Sequence, residues 1–174
     1  MLPTVHSEMP DPLVLGIQAL DLAYERHMVA RDGHSLLLAW ASAAECVWWI
    51  CALDEQLHEL HKTAYEVARR ADSDGKYVDG LRWVRDRHTH QLPITSELDR
   101  TPFLGGKSGR DFYISPGFIW LPVDQVPDDP KNRRPDLREV YAELIAGTKS
   151  SGALYCARRW LRSSVEQWAR SEDT

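Results

Sequence analysis

Phenylalanine, methionine and cysteine are scarce in this chain of 174 residues, with three of each. The odd cysteine count (Cys46, Cys51 and Cys156) and the lack of any C-x-x-C spacing exclude a disulfide framework and a zinc ribbon. All three sit among apolar neighbours, where a free thiol serves as a small hydrophobe. Basic charge is short as well: 21 Lys and Arg stand against 26 Asp and Glu, a net charge of −5. That excludes coating of nucleic acid by bulk charge and leaves room for one local basic site. The chain has no internal repeat and no low-complexity run. Its first twelve residues lack the basic start of a secretory signal. The longest apolar run, near Ser42–Leu53, is broken by Glu45 and reads as too short to span a bilayer. The expected compartment is the cytoplasm. The length fits a single domain, residues 1–174.

Tryptophan is in excess, with seven residues. Trp40, Trp48, Trp49 and Trp83 fall in apolar, helix-periodic segments, as packing residues would. Trp48 and Trp49 are adjacent and must point about 100° apart on a helix. Both are buried only if that helix has neighbours on two sides. Trp120 lies in a Pro-rich segment and reads either as core or as an interface anchor or stacking surface.

The hydrophobic period is that of helices. Leu13, Ile17, Leu20, Ala23, Tyr24 and Met28 mark a first helix, with Asp11 as N-cap, Pro12 at its first position and Asp32-Gly33 as its stop. Ser35 opens a second that runs toward Arg70 and ends at Asp72-Ser73-Asp74-Gly75. About 35 residues is long for a globular helix, which predicts a kink or interruption. Its first half, Leu36–Leu53, is apolar on almost every face and belongs in the middle of a bundle or across a dimer interface. A third helix covers Lys76 to His90. Between Pro93 and Pro135 the helical period disappears. Phe112-Tyr113-Ile114 and Phe118–Leu121 around Ser115-Pro116-Gly117 read as a short hairpin or two extended arms, which must pack on the helices or a partner. Asp136 with Glu139 gives a capping-box start for a fourth helix that Gly147 stops, and Ser150 or Ser151 opens the last. The expected fold is all-α, a bundle of about five helices with an irregular insertion at 93–135.

Chemistry concentrates in Arg82-Trp83-Val84-Arg85-Asp86-Arg87-His88-Thr89-His90, just before a helix stop. Guanidinium forks match phosphate oxygens, and imidazole moves protons near neutral pH. Together they suit cleavage of a phosphodiester without a metal.

This arrangement resembles the HEPN superfamily, whose signature is Arg, four to six residues, then His, often with Asn, Asp or His directly after the Arg. Arg85 to His90 fits the four-residue form with Asp86 in the polar slot. Arg82 to His88 fits the five-residue form, but Trp83 occupies that slot, so Arg82 and His88 are secondary candidates. The resemblance covers roughly residues 13–92 and the last two helices. It implies a helical bundle with the motif near a helix end. It further implies RNases of toxin–antitoxin or phage-defence type, and a homodimer whose two motifs face one cleft. On that reading Arg85 binds the scissile phosphate, His90 is general acid or base and Asp86 orients one of them. An acid from an earlier helix supports Arg85. Glu45 is the candidate, although it can equally face solvent or another Arg. No cofactor and no metal are expected.

Arg87 and the second basic patch, Lys131, Arg133 and Arg134 with Arg138, are candidates for substrate binding. The patch lies at a helix start, where anions are attracted, but reads first as a solvated turn. Glu55 and His58 have the Glu-x-x-His spacing of di-iron bundles, but no second copy exists, so His58 and His61 read as surface residues. Gly106-Lys107-Ser108 lacks the glycine that a phosphate loop requires five positions earlier. The competing functional class is a non-catalytic interaction or adaptor module, antitoxin-like, binding a protein partner.

Overall fold

The computed structural model describes residues 11–33, 35–90, 98–99, 102–104, 112–114, 117–126 and 134–169. The fold is an all-α helical bundle. Helix α1 spans Pro12–Asp32, α2 Leu36–Ala71, α3 Lys76–His90, α4 Pro135–Leu144 and α5 Ser150–Ala169. Four short strands precede α4: β1 Leu98–Asp99, β2 Pro102–Leu104, β3 Phe112–Ile114 and β4 Gly117–Phe118.

The helix starts and stops follow local chemistry. The Asp11 carboxylate accepts from the Leu13 N–H at 2.8 Å, with Pro12 at the first helical position. Gly33 closes α1. The Ser35 hydroxyl accepts from the Leu38 N–H. The expected break in the long helix is found at Lys62, the one non-helical residue within α2. The expected capping box at Asp136 is not used. Pro135 takes the first position of α4 behind Arg134, and no side chain caps the end. The pre-set φ of proline supplies the start instead.

The strand pattern also departs from expectation. Leu98 pairs with Phe118 and Asp99 with Gly117, while Pro102, Phe103 and Leu104 pair with Ile114, Tyr113 and Phe112. This is one antiparallel register. Phe112–Ile114 and Gly117–Phe118 therefore each pair with an earlier strand and not with one another. A proline has no N–H to give a ladder, so it marks an interruption of a strand as readily as a hairpin turn.

The core is built from Leu20 on α1, Ile50 and Leu57 on α2, Leu81 on α3 and Leu154 and Leu161 on α5, all fully buried. Phe118 and Trp120 are buried as well, so the strand segment is packed onto the helices as expected. Trp120 joins the main core, and its N–H donates to Thr148 O at 2.9 Å. Of the two readings of Trp120, core packing is the one the structure bears out. Trp49 packs against the core while Trp48 stays 56% exposed. Cys46 and Cys51 are buried, and burial pushes both thiols up to about 12, so they remain neutral packing groups.

Among the described residues α2 is the one helix long and apolar enough to cross a membrane, judged by length and composition alone. A buried core helix meets the same criterion. Here α2 packs against α1, α3 and α5.

Two buried contacts make testable claims. A Cβ at Gly80 would stand 2.6 Å from Ile145 Cδ1 and 3.3 Å from Tyr141 Cα, so α3 and α4 meet only because that position is bare. Gly80→Ala would gain about 1 kcal/mol in helix propensity but overpack a filled contact, at a cost of about 1–3 kcal/mol. A net loss in urea denaturation is expected. His27 is buried and links three helices: its Nδ1 lies 3.0 Å from Ala39 O and its Nε2 2.9 Å from Ser150 Oγ. The Nδ1–H tautomer donates to the carbonyl and accepts from the hydroxyl. Burial, aided by Arg31, holds the imidazole below its ordinary 6.5. The unfolded chain therefore takes up the proton first. Stability should fall as the pH drops below about 6.5 and go on falling until the folded state protonates. His27→Gln should give a shallower acid-side slope between pH 7.5 and 5.

Candidate functional site

The site begins with the break in α2. Lys62 has φ 49° and ψ −126°, a conformation that costs a non-glycine residue on the order of 1–3 kcal/mol unless its surroundings hold it. In a straight helix Asp54 and Arg69 would stand roughly 22 Å apart at 1.5 Å per residue, beyond the reach of any two side chains. Instead they touch. Arg69 donates from Nη1 to Asp54 Oδ1 and from Nη2 to Asp79 Oδ1, the latter at 2.7 Å. The Tyr65 hydroxyl donates to the same Asp54 oxygen at 2.9 Å. Arg82 Nη1 lies 3.6 Å from Asp54 Oδ2. Asp54 and Arg69 are 1% and 2% exposed, so this is an interior network in which two guanidiniums balance two carboxylates.

Burial is the largest single influence on Asp79, Tyr65 and Arg69. It raises the Asp79 carboxyl above its ordinary value despite the pull of Arg69 and Arg82. It raises the Tyr65 phenol as well, reinforced by Asp54. Burial opposes the Arg69 charge, but Asp54 and Asp79 more than restore it.

A cleft of about 490 Å³ opens in the elbow of α2. Its walls are Glu55, His58 and Glu59 before the bend and Glu66 and Arg70 after it. Arg82 of α3 and Arg134 and Asp136 at the start of α4 close the other side. Just beyond Arg82, Arg85 Nη1 donates across to Glu55 Oε1, and its Nη2 lies 3.4 Å from Asp86 Oδ1. Burial opposes the Arg85 charge, but the hydrogen bond to Glu55 together with the neighbouring charges, Glu55 and Asp86 among them, outweighs it and leaves the pKa raised. A cation held this way keeps its charge and presents a directed fork.

Of the residues singled out from sequence, Arg82 and Arg134 line this cleft and Arg85 is held by one of its acids, although Arg134 comes from a distant segment. Asp86 lies beside Arg85, half-buried. Two expectations are corrected. Glu45 does not hold Arg85. It pairs with Arg26 of α1 at 2.5 Å, ten residues or roughly 15 Å along the helix from Glu55, which takes the role instead. Arg87 is not a free substrate ligand. It is 3% exposed, with its guanidinium 5.0 Å from the Trp83 ring centroid, because that face of α3 turns toward α4. His58 is exposed as expected but belongs to the cleft wall, whereas His61 stacks on Trp168 at 4.2 Å. His90 is the last residue of α3, a turn and a half beyond Arg85. The side chains of His88 and His90, and the whole of Lys131 and Arg133, lie outside the described residues.

Sequence reasoning missed Asp54, Arg69 and Asp79. One signal was available. Asp54 sits between Leu53 and Leu57 on the most apolar stripe of α2, where a carboxylate demands a partner.

The chain matches no protein-family model, no curated protein and no solved structure.

The two classes of arginine should separate energetically. Arg69→Leu strands two buried carboxylates and should cost about 3–5 kcal/mol. Arg82→Ala removes a half-exposed, looser partner and should cost about 1 kcal/mol or less. Urea denaturation of both variants at pH 7 checks the difference.

Proposed function

We propose that the protein is a metal-independent endoribonuclease acting at the α2/α3/α4 cleft. The observation that carries this is that Arg82 and Arg134, from two separated segments, line one cleft, with Arg85 beside it held by Glu55 of the cleft wall. Forked cations in fixed orientation suit the non-bridging oxygens of a phosphodiester. His90, at the end of the same helix, supplies the acid–base function. A base takes the proton of the ribose 2′-OH. The 2′-oxygen then attacks phosphorus and the bond to the 5′-oxygen breaks. That oxygen receives a proton, leaving a 2′,3′-cyclic phosphate and a 5′-hydroxyl. Arg85 stabilises the charge that builds on phosphorus, and Arg82 and Arg134 bind flanking phosphate. A toxin or phage-defence role is consistent with such an activity, and the HEPN resemblance supports the choice of Arg85 and His90.

A second reading, a non-catalytic adaptor or antitoxin-like module, draws on a different observation: the exposed apolar side chains of α1 and α2, Trp48 among them. It predicts no cleavage by the parent protein.

The deciding experiment incubates RNA with the protein in excess chelator. The parent should cleave, and Arg85→Ala and His90→Ala should each lower the rate at least ~100-fold, the scale of losing one charge-stabilising or acid–base group, with the circular dichroism unchanged. Variants as active as the parent would overturn the assignment of the site.

A further inference from the structure

The bend of α2 accounts for a left-handed residue at position 62 but not for a lysine there. The pairing of Asp54 with Arg69 requires the chain to bend between them, and it does so at Lys62, with φ 49° and ψ −126°. Those angles belong to the first central position of a type II′ turn, where glycine is the unstrained residue. Lys62 is the one non-glycine residue with positive φ among the described residues, and the other positive φ, 71°, falls on Gly147. A lysine at the bend therefore costs stability that a glycine would not. Its side chain stands in a different position from its backbone: Lys62 is exposed and lines the cleft.

The other cations of the cleft wall are already answered. Arg82 meets Asp54, Arg134 meets Asp136 and Arg70 meets Glu66. Among the described residues Lys62 enters no ion pair, although Glu59 stands three residues before it on the same wall. A phosphate that approaches one of the arginines competes with a carboxylate in place, and at Lys62 it meets no such competitor. Lys62 lies seven residues, roughly 10 Å, along α2 from Glu55, the acid that holds Arg85. It therefore addresses a phosphate other than the one at Arg85. We propose that Lys62 is a further phosphate contact of the cleft, binding the RNA backbone away from the scissile bond on the side of the bend. The substrate this fits is a strand with several backbone phosphates, not a dinucleotide. The proposal rests on the ribonuclease reading only in assigning the cleft to an RNA strand, and it is tested by binding and stability, not by cleavage.

Two measurements on the full chain make the test. In urea, Lys62→Gly should have a higher midpoint than the parent, because glycine takes this φ without strain. Lys62→Gln keeps the strain and loses the charge, so its midpoint should stay close to that of the parent. Binding is read by fluorescence anisotropy with a short single-stranded RNA methylated at every 2′-oxygen, which blocks attack by that oxygen. Both variants should bind it about tenfold more weakly than the parent, the scale of one hydrogen bond to a charged group. The slope of log K against log salt should become shallower by about 0.7, the share of one phosphate contact on a single strand. Lys62→Arg keeps a cation and should keep the parental slope. Parental slopes in Lys62→Gly and Lys62→Gln overturn the proposal, and so does a Lys62→Gly variant that is no more stable than the parent. A parent that binds the methylated strand through Lys62 but leaves unmodified RNA uncut upholds this contact and overturns the ribonuclease reading. A parent that binds no strand overturns both.

Discussion

Arg69 is the residue on which the rest of the structure depends. Its guanidinium joins Asp54, before the bend of α2, to Asp79 on the next helix, and both contacts are out of water. Ions in such a place are costly unless each is answered, and the cost of leaving one unanswered exceeds the strain at Lys62. The bend and the network therefore require one another. The turn that follows is shaped by the same residue. A Cβ at Gly75 would stand 2.3 Å from the Arg69 carbonyl oxygen, so the chain passes under Arg69 only with glycine there. Asp72 holds that turn by accepting from the N–H groups of Asp74 and Gly75 at 2.7 and 3.0 Å. Asp74 in turn receives Arg159 of α5. One interior cation thus fixes where α3 begins and which of its faces looks at α2.

The consequence for chemistry is positional. Once Asp79 is tied to Arg69, α3 runs beside α2 so that Arg82 meets Asp54 and Arg85 meets Glu55. The site arginines come already matched to acids, and Arg134 likewise lies 3.8 Å from Asp136. Such a cleft has direction but little net field. It suits a ligand that presents one well-placed phosphate and competes for the forks, and it does not suit bulk attraction of a polyanion. The net charge of −5 and the arginine cluster are therefore compatible: the charge describes the surface, the cluster a single place.

Much of this was legible in the sequence because it is local. Asp11, Pro12, Gly33 and Ser35 act on neighbours within one turn, and their roles follow from spacing alone. The break in α2 could be foreseen from length, and Lys62 carries no turn chemistry that would have located it. What could not be read was non-local. Asp54 and Arg69 stand on one helix at a spacing that excludes contact while the helix is straight, so their pairing exists only after the bend. Glu45 is set in deeply apolar sequence, but burial in sequence is not burial in space: Glu45 is 41% exposed by its side chain and pairs with α1. Arg87 failed for the same reason in reverse. It stands in the middle of a charged run, yet it is buried against Trp83.

The apolar character of α2 finds its explanation in these competing demands. A helix that served only the core would keep one polar face, and this one has its polar face only past Asp54, where the cleft lies. Before Asp54 it packs on α1, α3 and α5, and what remains of its circumference carries Leu37, Leu38 and Trp48 outward. The same helix is thus core on two sides, cleft wall at one end and an exposed apolar surface at the other. The two ends are separated by roughly 25 Å of backbone from Leu38 to Asp54.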